Sequence, residues 1–372
     1  MANVLILGGG FAGVVAAERL AKTLGQRHQL TLVSRTRRFV FYPALVRLAF
    51  GGCEPDDISF DLREAMLDRY VRFIEADAAR VNPVARRVTL AGTDIAGDIS
   101  YDYLVFALGR RLATERVPGF YEHAHHLLGV KSALRFGEAV RDFDGSRVVL
   151  GSCPGSRLEV PVYETAFALA RRLQSRRAHA SITVVGPGYP SASPGGADLA
   201  RALRPALDAH YIDTLNDFPV AEVTPDRVRA ADGRELRHDL LMLIPPFEGT
   251  SALAGTGLTD EEGFVRVDHT MKVTGAEAMY AAGDAVYFSG PKMGHMAVRQ
   301  AEVAAANLAA ELEGKPADAL YQHELMLVVD EGGTDSVYLH KELWEGDKAV
   351  GRGRFWAWAK RAHEKYFQAK HS

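Results

Sequence analysis

Cysteine is nearly missing: only Cys53 and Cys153 occur in 372 residues. That scarcity excludes a disulfide framework and a cysteine-rich metal centre, and it points to a reducing compartment. No run of 18 or more apolar residues occurs, so a membrane-spanning helix is not expected and any membrane contact would be peripheral. Neither sign of charge dominates, with 44 Lys and Arg against 47 Asp and Glu and a net charge of -3, which argues against nucleic acid as a partner. The first apolar run begins at Asn3 or Val4, too early for the charged, apolar and cleavage regions of a secretion signal. The cytoplasm is therefore the expected location, with attachment to the cytoplasmic face of a membrane as a further option. Fixed-period repeats and low-complexity tracts are also missing.

Apolar residues make up 47% and charged residues 24%, a soluble balance that speaks against disorder or a fibrous architecture. A chain of 372 residues suggests two to three domains at about 150 residues apiece. Apolar runs at residues 4–7, 30–33, 103–107, 148–150, 182–185 and 240–244 alternate with helical periodicity at 12–24, 131–143 and 163–173. Alternation of this kind predicts α/β architecture, with parallel sheets covered by helices. Residues 183–188 followed by 198–207 look like the opening of a second such unit. The predicted fold is two Rossmann-like, three-layer dinucleotide-binding domains, the second inserted in the first, with a C-terminal amphipathic helical tail. The corresponding boundaries are 1–110 with 240–313, then 111–239, then 314–372.

Gly8, Gly10 and Gly13, with Phe11 and Ala12 between them, give the spacing GxGxxG directly after an apolar strand and at the start of an Ala-rich helix. The first glycine permits a tight turn, the second lets a pyrophosphate approach the backbone, and the third lets helix and strand pack closely, with the helix N-terminus facing the anion. About 20 residues on, where a carboxylate usually meets the ribose, the chain has Ser34 and then Arg35. The Ser34 hydroxyl can bond ribose. Arg35, Arg37 and Arg38 can meet phosphate or adenine, or stand as exposed loop arginines.

Near the other end, Tyr280, Ala281, Ala282, Gly283, Asp284 and Ala285 follow a GFVRVD segment at residues 263–268, and residues 103–109 read YLVFALG. These blocks resemble signatures of the pyridine nucleotide-disulfide reductase superfamily. The resemblance implies that Asp284 reaches the ribityl chain, that Ala107 and Gly109 mark the exit from the flavin domain, and that the first ligand is FAD. Within the superfamily the chain is most similar to sulfide:quinone oxidoreductases and their flavocytochrome c relatives. Five further blocks carry that likeness: residues 39–43 including Pro43, residues 161–164 (PVYE), 241–247 (LMLIPPF), 291–296 (PKMGHM) and 364–367 (EKYF). The likeness implies that Pro43 lies beside the flavin ring and that Ala78 also touches the cofactor. It further implies a quinone near Tyr366 and Phe367.

A reduced flavin gains negative charge near N1, which a cation stabilises; Lys292 is the candidate, assisted by the helix that begins at Gly294, although a solvated loop lysine is the plainer alternative. Glu164 is the candidate proton relay by resemblance, with helix capping as its alternative. Sulfide-oxidising relatives carry sulfur on cysteines, and an approximate alignment puts Leu128, Leu158 and Leu327 at those positions, so sulfide chemistry is not expected. NADH is disfavoured as donor, because Gly186 and Gly188 have no glycine at position 191 to complete a fingerprint, and prolines at 187, 190 and 194 remove amide donors. His125 and His126 are read as structural.

Between residues 352 and 372 the tail holds six Lys or Arg and one acid with five aromatics. Phe355, Trp358, Ala359, Ala362 and Tyr366 form one helical stripe, fit either for a membrane surface that admits a quinone or for docking on the protein's own core. The functional expectation is an FAD-dependent oxidoreductase passing two electrons from an undetermined donor to a quinone. Its rivals are an NAD(P)H:quinone reductase of the type II NADH dehydrogenase kind and a non-catalytic flavin-binding redox sensor. No metal is expected.

Overall fold

The computed structural model describes residues 1–92, 94–188, 196–288, 290–332, 335–342 and 348–372. Its first sheet is five-stranded and parallel, in the order Met279–Ala281, Tyr103–Phe106, Asn3–Leu7, Gln29–Ser34, Arg72–Glu75. Val4 stands between Leu30 and Tyr103, and Leu7 between Val33 and Phe106. These strands are short and apolar on successive residues because both faces are covered, which is the burial pattern of a parallel sheet. The helix Phe11–Leu24 packs against the helix Gly294–Leu312, and the alanines of both, from Ala16 and Ala17 to Ala301, Ala304 and Ala305, let the two axes come close. A three-stranded antiparallel sheet, Asp77–Asn82, Arg87–Ala91 and Gly97–Ser100, is interposed before the strand Tyr103–Phe106.

A second parallel sheet runs Ile212–Leu215, Ser181–Val185, Arg147–Ser152, Leu240–Ile244. It repeats the winding of the first: an initial strand, two successors on one side, then a crossover to the other side. Here two expectations are corrected. Residues 240–244, assigned by sequence to the first domain, pair in parallel with Arg147–Ser152 and are the fourth strand of the second sheet. The five residues LLMLI are wholly buried, and an apolar run of this kind carries no mark of which sheet it joins. Secondly, Ser181–Val185 is the second strand of this unit, not its opening; the initial strand is Arg147–Ser152, followed by the helix Val160–Arg176. The two chain crossings between the halves lie side by side, where Arg111–Leu112 pairs antiparallel with Phe247–Glu248.

The C-terminal region contains more than the expected helix. An antiparallel sheet, Glu324–Asp330, Ser336–Glu342 and Lys348–Arg352, precedes the helix Arg354–His371. Among the described residues no helix is long and apolar enough to cross a membrane.

Candidate functional site

The turn after Asn3–Leu7 has the geometry its glycines require. Gly8 donates its N–H to the Val33 carbonyl at 2.7 Å and has φ +109°, and a Cβ there would stand 2.1 Å from the Ala107 oxygen. A Cβ on Gly13 would stand 1.7 Å from the Gly8 oxygen, so the third glycine is what lets the helix begin against the strand. Gly10 differs: its Cβ position meets nothing within 4 Å. That open space lies at the N-terminus of Phe11–Leu24, whose first turn has no acidic residue and no side-chain cap, leaving amide donors for an anion.

The second anchor meets the first. Gly283 (φ +79°) would place a Cβ 3.0 Å from that of Ala12, and Gly294, which begins the Ala-rich helix, would place one 3.3 Å from the Phe11 ring. Two helix N-termini therefore converge on one place, reinforcing its positive potential. Gln300, fully buried, accepts the Gly283 N–H at 2.7 Å. Asp284 is half-buried and faces Arg110, whose Nη1 lies 3.4 Å from Oδ2. Arg110 follows Gly109 (φ +71°), and its guanidinium stands 3.9 Å over the Phe247 ring. Neither Gln300 nor Arg110 carries a motif signal in the sequence, because each acts through a partner far along the chain.

Lys292 is 2% exposed, so the solvated-loop alternative is wrong. Its ammonium donates to the Val286 carbonyl and stands 4.2 Å over Phe264 and 4.7 Å over Phe288. Burial pushes its pKa down to about 7; Asp284 opposes the drop, while Arg157 and Arg110 add to it. Arg157 closes the box, donating to the Phe288 carbonyl at 2.6 Å and to Glu262 at 3.1 Å.

Ser34 is buried at the end of its strand. Arg37 pairs with Asp61, and Arg38 pairs with Asp56 at 2.5 Å, so carboxylates of the chain engage both. Arg35 is exposed and has no ion pair among the described residues. Pro43 lies exposed in the 3-10 turn Tyr42–Ala44, and Ala78 is buried in Asp77–Asn82.

Glu164 does not cap its helix. The helix begins at Val160 with Glu159 as N-cap, and Glu164 is buried one turn in. Its carboxylate accepts the Asp330 N–H at 2.9 Å and pairs with Lys360 of the tail helix. Burial pushes its pKa up, and Lys360 with the Asp330 amide pulls it back.

The tail helix docks by a face other than the aromatic stripe. Ala357, Glu364, Phe367 and His371 are buried. Glu364 forms a two-pronged pair with Arg47, at 2.9 and 2.5 Å, and His371 meets Glu18. Phe367 sits between Phe11, Phe39 and Phe41, with ring centroids 5.0, 5.5 and 5.7 Å away, directly against the phosphate turn. Phe355, Trp358 and Tyr366 face outward, 63%, 65% and 62% exposed. Tyr366 and Phe367, expected together at a quinone, thus lie on different faces, one outward and one buried, separated by the one-residue step of about 100° on a helix.

In the second sheet, positions 151, 153 and 156 repeat the spacing of Gly8, Gly10 and Gly13 but hold Gly151, Cys153 and Ser156. Pro154 and Pro161 supply no amide hydrogen, and Glu159 puts a carboxylate at the helix N-terminus where an anion would bind. A small cavity lies there, lined by Ser152, Glu159, Tyr163, Val185, Gly186 and Asn216. The expected proline loop at 190–194 and position 191 lie outside the described residues.

Cys53 and Cys153 are free and belong to different apolar clusters. Burial pushes both thiols up, the Arg47 guanidinium opposing this at Cys53. Leu327 is buried, and Leu128 and Leu158 pack partly buried on the core.

A family model described as pyridine nucleotide-disulphide oxidoreductase matches residues 2–301. An oxidoreductase of Pestalotiopsis fici, ptaL, is 28% identical over 85% of this chain and 85% of its own. A type II NADH:quinone oxidoreductase of Haemophilus influenzae is 25% identical over 85% and 82%. The crystal structure of the sulfide:quinone oxidoreductase from Aquifex aeolicus superposes with a TM-score of 0.91 at 24% identity, covering all of this chain and 91% of that one, a likeness of fold.

Proposed function

This chain belongs to the pyridine nucleotide-disulphide oxidoreductase family, an oxidoreductase with FAD as its cofactor, and on that premise we propose that it passes two electrons through the flavin to a quinone. The observation that carries this reading is the contact of Gly283 with Ala12, which brings two glycine anchors from opposite ends of the chain to one cradle with Lys292 buried behind it. FAD fits there: Gly10 leaves room for the pyrophosphate and the amides at Phe11 and Ala12 face it. Gly283 and Asp284 stand ready for the ribityl chain, flanked by Ala107 and Gly109. When bound, the flavin supplies two-electron chemistry. The chain's own residues bind and orient it, and Lys292 carries a proton or a positive charge beside it.

The acceptor is a lipid-soluble quinone. In support, the exposed Phe355, Trp358 and Tyr366, interleaved with Arg354, Arg361 and Lys365, make an interfacial surface, and the quinone-reducing Haemophilus relative matches most of the chain. The donor is neither sulfide nor NAD(P)H, since leucines stand at the sulfur-carrying positions and a carboxylate with two prolines occupies the second phosphate turn. Anaerobic mixing with NADH and with sulfide, and mixing of dithionite-reduced protein with a soluble quinone, each followed by absorbance of the flavin, test this. No bleaching by NADH or sulfide and rapid return of the oxidised flavin spectrum with the quinone is the expected outcome; rapid bleaching by NADH would replace this reading with the NADH dehydrogenase one.

A further inference from the structure

We propose that Arg110 is a cofactor-binding residue, its guanidinium stacked on Phe247, gripping Asp284 and offering its remaining N–H donors to the oxygen-rich ribityl-phosphate chain of the flavin dinucleotide. The inference rests on the flavin reading above. Arg110 follows the C-terminal end of the strand Tyr103–Phe106, which lies next to the central strand Asn3–Leu7, and in parallel sheets ligands bind beyond that end of the strands. Ala107, three residues earlier, touches Gly8 of the phosphate turn, so Arg110 stands at the same mouth. Its side chain is 14% exposed, yet Nε is buried with no acceptor among the described residues. A guanidinium has five donors in a fixed fork, and a buried charged donor without an acceptor is costly unless a ligand supplies one.

The neighbouring cations are satisfied differently. Arg157 donates to the Phe288 carbonyl and to Glu262, and Lys292 donates to the Val286 carbonyl. Among the described residues the one acceptor near Arg110 is Asp284 at 3.4 Å, close enough for attraction and long for a charged hydrogen bond. The stack on Phe247 at 3.9 Å holds the guanidinium plane still, so its free edge has one direction to offer. Phe247 lies in one of the two antiparallel crossing segments and Arg110 directly precedes the other, Arg111–Leu112, which ties the orientation of this donor to the joint between the two sheets.

The test is flavin affinity of the apoprotein, read by quenching of FAD fluorescence, for the parent, R110K, R110Q, D284N and R110Q/D284N. Thermal melting of each apoprotein runs in parallel. We expect R110Q to weaken FAD binding at least tenfold with the apoprotein melting unchanged, R110K to recover part of the loss, and the double variant to lose less than the product of the single losses. Parent-like FAD affinity in R110Q, or a loss matched by an equal fall in apoprotein melting that R110K does not relieve, would overturn the proposal. A parent that binds no FAD would overturn the flavin reading itself, which keeps the two failures apart.

Discussion

Two glycines three residues apart in one turn's motif, Gly10 and Gly13, do opposite work, and that separates binding from folding. Gly13 exists because the Gly8 carbonyl lies 1.7 Å from where its Cβ would be, so Gly13→Val should yield insoluble protein. Gly10 has open space, so Gly10→Glu should fold, keep the parent's far-ultraviolet circular dichroism, and purify colourless because its carboxylate fills the phosphate position. A yellow, stoichiometrically loaded Gly10→Glu protein would move the cradle elsewhere. Lys292 makes a residue-scale prediction in pH. Its folded pKa is about 7 against 10.5 for the free side chain. Between those values the unfolded chain holds a proton that the folded chain has released, so stability rises with pH across this window. Below pH 7 both states are charged and the full cost of burying the ammonium remains. Apoprotein melting should therefore climb from pH 7 to 10 in the parent and stay flatter in Lys292→Met; parallel curves would show that the ammonium is solvated.

At the scale of elements, the tail helix shows what periodicity can and cannot give. A 3.6-residue repeat finds the helix, and Arg354–His371 forms it. The repeat offers two apolar faces, one with Phe355, Trp358 and Tyr366 and one with Ala357 and Phe367, and it does not say which turns inward. The choice is made by partners hundreds of residues away: Arg47 for Glu364, Glu18 for His371, Glu164 for Lys360. Burial pushes the Glu164 pKa up, and Lys360 opposes that push. Lys360→Met should leave an unpaired carboxylate with the Asp330 amide alone, and the protein should lose about 3 kcal/mol of stability at neutral pH. Adding Glu164→Gln to that variant should recover most of the loss in urea unfolding, because a neutral amide needs no counter-charge. No recovery would mean that Lys360 stabilises the tail by packing and not by charge. The N-terminal turn, in contrast, was legible from sequence because strand, glycines and helix are adjacent in the chain and need no distant partner to be recognised.

For the molecule as a whole, the two sheets wind alike, and sequence located the second one a strand too late. A run such as LLMLI at residues 240–244 or SITVV at 181–185 is buried wherever it goes, so its place in the sheet order depends on pairings that local pattern does not encode. Moving the initial strand to Arg147–Ser152 also moves the counterpart of the N-terminal glycine turn to residues 153–159, and Cys153 thereby falls at the position that Gly10 holds in the first sheet. This bears on the sulfur question. A sulfur-carrying pair needs two reactive thiols in reach of one another beside the flavin, and the thiolate is the reactive form. Cys153 is fully buried with its pKa pushed up, and Cys53 packs in the other cluster beside Arg47. Neither burial nor position suits them as a pair. Replacing both with serine should therefore leave quinone-linked turnover with any working donor unchanged within about twofold, while Cys153→Ser alone accounts for whatever stability is lost by putting a hydroxyl in an apolar cluster. Steady-state turnover with sulfide and a soluble quinone decides it: a parent that oxidises sulfide briskly, beside a double variant that does not, would make these two cysteines the sulfur carriers and require the clusters that separate them to rearrange during turnover.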